Sequence, residues 1–425
     1  MLRHRHGMFT RTPLLTTGDG RLLCDSSPLG AARVRVHSAI SGPVHQGGSA
    51  GRSSGDRPSP QPCHSAGAHS QFSEVRKPMS QESLLFLSRP AVRACLDKLD
   101  PVEVAADVLR IQAAGRAEIP AEGYLPWTNG DGAYSRAIAM LGALHREEGP
   151  VYGMKLINAA VNNPSKGIER AGGLSFVFDP ETARPKLMAE AGYLSAVRTA
   201  AYTMVSLRTV GPQTWDGITL IGTGALARAH LDLLVGAFPE VRTVVVFDLS
   251  AARAAELVAW AREEHPQLEV TVAATAAEAI AATPVTVTLT TSSEPYLRAA
   301  LFAPGSFVAH VSLGDLTEEV FLGAQAVYGD DLDLIEENPR RILGSLLQEG
   351  KVTRPGTEGA PGRGAGRSVE GTLGQVLLGQ VPAIRPTDGY VVSNPFGMSI
   401  LDVGLIDAVH RTALELGVGQ RLDLL

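Results

Sequence analysis

The chain has 425 residues and a formal net charge of −6, with 44% hydrophobic and 19% charged residues. This length suits two domains of roughly 100 to 200 residues each, and the composition is that of an ordinary globular α/β protein. The acidic balance argues against nucleic acid as a partner, because phosphate binding needs clustered cations. No apolar run approaches the roughly 20 residues of a membrane-spanning helix. We expect small molecules and further copies of the chain as partners.

The three cysteines, Cys24, Cys63 and Cys95, show neither a C-x-x-C spacing nor the pattern of a zinc site. Reduced cysteines without a pairing pattern are typical of cytoplasmic proteins. We therefore expect a cytoplasmic protein without a bound metal.

Residues 1–78 are rich in Arg, Gly, Ser, Pro and His and contain only four acids. Such a segment buries too little apolar surface to offset its ordering entropy, which predicts a disordered extension. Its histidines are scattered, which favours no metal site. The Arg-rich, acid-poor composition also resembles a transit peptide. We favour a third interpretation, in which Met79 is the biological start.

From residue 79 the pattern becomes that of a folded domain, with residues 79–205 predicted to form its first part. Two segments carry apolar residues at helical spacing, "SRPAVRACLDKL" and "DPVEVAADVLRIQAAG". Two strand-like segments follow, "YGMKLIN" and "LSFVFDPET". A further helix is predicted for "YLSAVRTAAYTMVSL".

The segment 206–332 is predicted to be a Rossmann-type, doubly wound nucleotide domain. Short apolar strands alternate here with helices, which implies parallel strands joined by right-handed crossovers. These strands are "GITLIG", "VRTVVVFD", "LEVTVAA", "TPVTVTLTT" and "SFVAHVSL". Residues 333–425 are expected to return to the first domain, with a flexible Gly/Pro/Arg-rich loop at 353–367. The nucleotide domain would thus be inserted in a mixed α+β domain.

The segment "LIGTGALARAHL" carries the pattern of a dinucleotide-binding loop between a strand and a helix. Gly222 allows the tight turn, Gly224 lets a pyrophosphate approach the backbone, and Ala225 and Leu226 open the helix whose N-terminus favours an anion. Asp248 ends the next strand, where an acid accepts the ribose hydroxyls and repels a 2′-phosphate. The pattern therefore predicts NAD as cofactor, while Arg253 keeps NADP open as an alternative.

Other cofactor contacts are predicted at the carboxyl ends of later strands, where ligands bind in open α/β sheets. Thr291 and Ser292 follow the fourth strand and could bond the ribose or nicotinamide; the alternative is an ordinary polar turn. His310 and Val311 end the next strand. A lone histidine in an apolar strand is more often a core residue, and the alternatives are a cofactor contact or a second proton carrier.

The stretch "HVSLGDL" ends in Asp315, for which the local sequence suggests a structural role. Glu318 stands three residues after Asp315, which is the spacing of an N-terminal capping box. Asp315 is therefore predicted to cap a helix at the carboxyl edge of the nucleotide sheet, beside the expected nicotinamide.

Several of these motifs, in this order, resemble the ornithine cyclodeaminase and mu-crystallin family. The similarity runs from "MKLINAAVNNPSKGIERAGG" through "DPET", "RTAA", the nucleotide loop and "HVSLGDL" to "SNPFGMSILDVGL", and it covers residues 83–417. The segments "NPSKGIERA", "HVSLGDLTEEVFL", "YGDDLD" and "NPFG" look most like the dehydrogenases of 2,3-diaminopropionate biosynthesis.

The resemblance implies oxidation of N-(2-amino-2-carboxyethyl)-L-glutamate with NAD, giving 2,3-diaminopropionate and 2-oxoglutarate for a siderophore or peptide antibiotic. It also implies a homodimer formed through the non-nucleotide domain. One alternative is an ornithine or lysine cyclodeaminase, which uses NAD without net reduction. A second is a mu-crystallin-like protein that binds a nicotinamide cofactor and a small ligand without turnover.

By the same resemblance, Asp315 matches the acid–base aspartate of the cyclodeaminases. Arg198, matched to the arginine of "RTAA", is expected to hold the substrate carboxylate through two parallel hydrogen bonds. Lys155 is a catalytic and substrate-binding candidate, because a lysine inside a strand is unusual unless it is paired or faces substrate. Arg170 could hold a second carboxylate. The cyclodeaminases carry an arginine in the region that matches "GYLPWT", which has none here, and Arg136 is the nearest candidate to replace it.

Overall fold

The computed structural model describes residues 82–356 and 367–424. The extension predicted for residues 1–78 and the central residues of the loop predicted for 353–367 lie outside the described residues. None of the helices in these two described ranges is long and apolar enough to cross a membrane.

The first part of the chain builds a mixed sheet flanked by helices. Its elements are β1 (Ser83–Leu87), α1 (Arg89–Leu96), α2 (Pro101–Ala113), β2 (Ala117–Glu118), β3 (Gly123–Thr128), β4 (Tyr134–Arg146), β5 (Gly149–Ala160), a 3₁₀ turn (Asn163–Lys166), β6 (Ala171–Phe178), β7 (Pro185–Glu190) and α3 (Gly192–Val210). Asp100 caps α2 by accepting the backbone N–H groups of Val102 and Glu103. The helices and strands predicted for 79–205 are thus present.

The second part alternates strands and helices. Its elements are β8 (Gly217–Ile221), α4 (Ala225–Ala237), β9 (Thr243–Phe247), α5 (Ala251–Glu264), β10 (Glu269–Val272), α6 (Ala276–Ala282), β11 (Val285–Thr288), a 3₁₀ turn (Ala299–Leu301), β12 (Phe307–His310), α7 (Glu318–Gly323), β13 (Ala326–Gly329), α8 (Leu332–Glu336), α9 (Ile342–Gln348), β14 (Val352–Thr353), β15 (Arg367–Ser368), β16 (Gly371–Thr372), α10 (Leu373–Leu377) and β17 (Val391–Asn394). The chain ends with α11 (Ser399–Leu416) and β18 (Gln420–Asp423).

The described strands form two large sheets. The first has the order β18-β1-β7-β6-β5-β4-β2, with β3 paired to β4, and is mainly antiparallel. The second has the order β10-β9-β8-β11-β12-β17-β13-β16 and is parallel at every pair. This is the Rossmann-type architecture predicted from the alternation of strands and helices.

The return to the first domain predicted at residue 333 is wrong in position. Strands β16 and β17 belong to the second sheet, and β17 lies between β12 and β13. The chain rejoins the first sheet only with α11 and β18. This placement could not be predicted, because a buried strand such as "VVSN" has the same apolar pattern in either sheet.

Helix α11 lies against one face of the first sheet, here called the inner face. A Cβ at Gly142 would lie 3.0 Å from Ser399 Oγ, and one at Gly153 would lie 3.2 Å from Val403 Cγ2, so these glycines allow the close approach. Because side chains alternate along a strand, Arg136 on β4 and Lys155 on β5 share this inner face.

Candidate active site

The loop between β8 and α4 has the geometry of an anion-binding turn. Gly222 has φ +101°, and a Cβ there would lie 2.9 Å from the backbone of Leu289, so only glycine fits. Gly224 precedes α4 without a side-chain cap, and its ideal Cβ position has no atom within 4 Å. The exposed Ala225 and the half-buried Leu226 open α4, whose N-terminus suits a pyrophosphate.

Asp248 lies directly after β9 and is bonded to this loop. Its Oδ2 accepts the backbone N–H and the hydroxyl of Thr223, both at 2.9 Å, while Oδ1 accepts the N–H of Ser250 at 2.9 Å. A carboxylate oxygen can accept two hydrogen bonds, so Oδ1 retains capacity for a ribose hydroxyl. The loop and Asp248 together therefore fit a dinucleotide.

The remaining residues predicted at the cofactor site differ in exposure. Thr291 is exposed, and Ser292 forms a local turn in which its hydroxyl donates to the carbonyl of Glu294. Val311 is half-buried and packs against the core. His310 is buried with Nδ1 2.7 Å from Asn394 Oδ1, and burial lowers its pKa to about 4. This environment favours the core interpretation of His310 over a proton carrier near neutral pH.

Asp315 is fully buried just beyond β12. Its Oδ1 accepts the hydroxyl of Thr290 at 2.6 Å, and its Oδ2 accepts the hydroxyl of Ser312. The capping-box prediction is wrong, because α7 begins at Glu318 with Thr317 as its N-cap residue and the Asp315 side chain turns inward to these hydroxyls. Its place at the carboxyl edge of the nucleotide sheet is as predicted.

Lys155 is buried on the inner face of the first sheet and is held by an acid from α11. Its Nζ lies 2.6 Å from Asp402 Oδ2 and 3.2 Å from Ser195 Oγ. Burial lowers the pKa of Lys155 to about 8, with a further lowering by the charge of Arg198 and an opposing effect from Asp402. The lysine is therefore close to the range in which it can exchange a proton at physiological pH.

Arg198 on α3 shares the same acid. Its Nε lies 3.2 Å from Asp402 Oδ2, and Nη2 donates to Ser195 Oγ at 3.4 Å. Its Nη1 has no hydrogen-bond partner among residues 82–356 and 367–424 and lies beside Gly397. This nitrogen is available for a carboxylate ligand.

The other two predicted cations lie near one another. Arg136 shares the inner face with Lys155. Burial lowers the pKa of Arg170, and the charge of Arg136 lowers it further. No acid in the described part of the chain forms an ion pair with either arginine. The pair is suited to an anionic group.

Four charged residues of the site were not found by sequence reasoning: Glu122, Asp330, Arg341 and Asp402. Burial raises the pKa of Glu122, while the charges of Lys155 and three arginines oppose the shift. One signal was present for Asp402, which is a lone acid in the apolar run "SILDVGL". Asp330 lies in the segment "YGDDLD", which carried the resemblance but gave it no role, and Glu122 and Arg341 have no comparable signal.

The arrangement combines four elements of amino-acid oxidation: a dinucleotide turn, a bidentate cation, a lysine with a lowered pKa, and a buried carboxylate at the strand ends. Oxidation at carbon requires a fixed carboxylate, a deprotonated amine and a base within reach. Lys155, Arg198 and Asp402 lie together as one charged group, and Asp315 with its two hydroxyls is a separate buried acid.

Comparison with known proteins gives a consistent picture. A model of the ornithine cyclodeaminase/mu-crystallin family matches residues 88–416. The crystal structure of CmnK has 54% sequence identity and a TM-score of 0.75, covering 81% of this chain and 99% of that one. N-((2S)-2-amino-2-carboxyethyl)-L-glutamate dehydrogenase of Staphylococcus aureus is 27% identical over 290 residues, 68% of this chain and 82% of the relative. An archaeal alanine dehydrogenase dimer with bound NAD, at 22% identity and a TM-score of 0.67, covers 81% of this chain and all of that one, and shares the fold.

Proposed function

The chain belongs to the ornithine cyclodeaminase/mu-crystallin family, and from this premise we propose that it is an NAD-dependent oxidoreductase acting on the C–N bond of an amino acid or N-substituted amino acid. The observation that carries the proposal is the buried group of Lys155, Arg198 and Asp402 on the inner face of the first sheet. Two cations that share one acid can hold a carboxylate and still position an amine.

NAD is the proposed cofactor, and its chemistry when bound is to accept the hydride from the carbon that bears nitrogen. The positive φ at Gly222, the open space at Gly224 and the carboxylate of Asp248 support dinucleotide binding. The archaeal alanine dehydrogenase with the same fold binds NAD. A carboxylate at Asp248 would repel a 2′-phosphate, which favours NAD over NADP.

Arg198, Lys155 and Asp315 each have a proposed role. Arg198 holds the α-carboxylate through Nη1 and Nη2. Lys155 takes the proton from the substrate ammonium, because hydride can leave only from the carbon of a neutral amine. Asp315 then activates the water that attacks the imine carbon, with Thr290 Oγ1 connecting the buried carboxylate to the half-buried loop after β11.

The specific substrate that we propose is N-(2-amino-2-carboxyethyl)-L-glutamate. Hydride leaves the glutamyl α-carbon to form an imine, and water cleaves the C–N bond, giving 2,3-diaminopropionate, 2-oxoglutarate, NADH and one proton. This substrate carries carboxylates beyond the one held by Arg198, and Arg136 with Arg170 could bind one of them. The Staphylococcus aureus relative acts on this conjugate according to its name.

The direct test is NADH formation from the glutamyl conjugate, ornithine, lysine and alanine, measured in parallel. We expect stoichiometric NADH with the conjugate alone. Ring closure and ammonia release from ornithine or lysine without net NADH would identify a cyclodeaminase. Tight binding of NADH and a ligand without turnover of any compound would identify a binding protein of the mu-crystallin type.

We further propose a homodimer formed through the outer face of the first sheet, opposite α11. Leu125, Trp127 and Leu141 are exposed, with 64%, 44% and 44% of their surface accessible. Leu141 alternates with the inner-face residues of β4, so its side chain lies on the outer face. An exposed apolar sheet face of this kind marks an interface. Light scattering of Leu141→Asp should show a monomer, whereas a monomeric wild-type chain would contradict the proposal.

A further inference from the structure

The segment Asn394–Met398, here called the NPFG loop, connects the two sheets at the active site. It begins at the end of β17 in the second sheet and leads directly into α11, which covers the first sheet. Helix α11 carries Asp402, the shared partner of Lys155 and Arg198. The position of this loop therefore sets how the charged group lies relative to the nucleotide sheet.

Two side chains of opposite charge hold the loop, the buried Asp330 and the half-buried Arg341. Asp330, directly after β13, accepts the N–H of Phe396 through Oδ1 and that of Gly397 through Oδ2, both at 2.7 Å. Arg341 donates from Nη1 to the carbonyl of Pro395 at 2.8 Å and from Nη2 to that of Phe396 at 2.6 Å. The side chains thus bind both donors and acceptors of the same short stretch of backbone.

The NPFG loop contacts one residue at the carboxyl edge of the second sheet and one residue of the charged group. At its start, Asn394 Oδ1 lies 2.7 Å from His310 Nδ1 on β12. Near its end, Gly397 has φ +100°, and a Cβ there would lie 3.1 Å from Arg198 Nη1. The backbone at Gly397 is therefore the surface against which the free end of Arg198 rests.

We propose that Asp330 and Arg341 are positioning residues that fix the NPFG loop and, through Gly397 and Asp402, set Arg198 for the substrate carboxylate. Asp330 is fully buried, and both residues bind backbone groups of the loop, which is the contact through which we expect them to affect substrate binding. The kinetic part of this inference rests on the proposed function, whereas the structural part does not.

The kinetic test compares Arg341→Lys with a matched control. Lysine keeps the charge but cannot bond two carbonyls as a planar fork does. Arg385 makes the same contact elsewhere, donating to the carbonyls of Gly211 and Arg208 at 2.6 Å each, so Arg385→Lys measures the purely structural cost. Loss of hydrogen bonds to a charged group should raise KM for the amino acid roughly 10-fold or more in Arg341→Lys. The Kd of this variant for NADH should stay within about twofold of the wild-type value.

Equal KM values in the two lysine variants would overturn the proposal.

A second comparison acts on Arg198 directly. Gly397→Ala introduces a Cβ against Nη1, whereas Gly305→Ala creates similar backbone strain at φ +82° with its nearest atom 3.9 Å away. Only the former should raise KM.

A test independent of turnover uses hydrogen exchange of the full chain. In Asp330→Asn, one carboxylate oxygen becomes an amide donor and cannot accept an N–H. Exchange at Phe396 and Gly397, and in the α3 peptide that contains Arg198, should accelerate relative to Asp100→Asn, which alters a distant helix cap. Unchanged exchange in the loop would overturn the positioning role of Asp330, even if the wild-type protein oxidises amino acids. Faster exchange in a protein without activity would support that role while the proposed function failed.

Discussion

Two buried acids in different parts of the fold, Asp402 and Asp315, have different partners. Asp402, on the helix that covers the first sheet, bonds two cations, with Lys155 at 2.6 Å and Arg198 at 3.2 Å. Asp315, at the edge of the second sheet, bonds only hydroxyl groups and has no ion pair with a described residue.

This difference indicates that the two acids have different roles. Asp402 is the shared counter-charge of two cations, so its role is to hold Lys155 and Arg198 in place. Asp315 balances no cation among the described residues and is held by the hydroxyls of Thr290 and Ser312. We therefore expect Asp402 to matter for both stability and activity, and Asp315 to matter mainly for activity.

The largest effect is expected for Asp402→Ala. Removing one partner of a buried ion pair typically costs about 3–5 kcal/mol, so urea unfolding should show a loss of this size, together with loss of activity. The double variant Lys155→Met with Asp402→Leu replaces the Lys155–Asp402 pair by apolar groups and should recover part of the stability without activity, since Arg198 still lacks its acid. Unfolding free energy unchanged in Asp402→Ala would contradict the structural role.

Asp315→Asn should separate activity from stability. Loss of an acid–base group typically lowers kcat about 10²- to 10⁴-fold, whereas the amide can still accept one hydroxyl, so the unfolding free energy should fall by less than about 2 kcal/mol. Steady-state kinetics and urea unfolding on the same preparation measure both quantities. Turnover equal to that of the wild type would remove Asp315 from the mechanism.

The pH profile should reflect Lys155. Its pKa is lowered to about 8, so the fraction of neutral amine rises as pH increases through this value. We expect kcat/KM to rise about tenfold per pH unit below that pKa and to level off above it. Arginine stays protonated, so Lys155→Arg should lose this rise. A wild-type profile that falls with increasing pH near 8 would contradict the assignment of Lys155 as proton acceptor.

The smallest effects are expected for Thr290→Val and Ser312→Ala, each of which removes one hydroxyl from Asp315. A single hydrogen bond to a charged group contributes roughly 1.5–3 kcal/mol, so each variant should retain more activity than Asp315→Asn. Kinetics of the two single variants and their combination would show whether the hydroxyls act together. Activity below that of Asp315→Asn would place the essential chemistry on a hydroxyl instead.

The sequence predicted the parts of the site that depend on local order. The turn at Gly222 and Gly224 and the acid at Asp248 follow from strand, turn and helix signals that are close in the chain. The pairing of Lys155 with Asp402 spans 247 residues and could not be read from spacing. Arg341 and Asp330 were missed for the same reason, since their partners are backbone groups of a distant loop. The capping box failed because two hydroxyls, one from a neighbouring strand end, compete for the Asp315 carboxylate.

In the proposed reaction, hydride leaves the substrate carbon bearing nitrogen and remains on the cofactor. The glutamyl conjugate deuterated at its glutamyl α-carbon tests this directly, with mass spectrometry of the nicotinamide product. We expect one deuterium in NADH, in amounts equal to the 2-oxoglutarate formed. Deuterium retained in an amino-acid product, with no net NADH, would contradict the account.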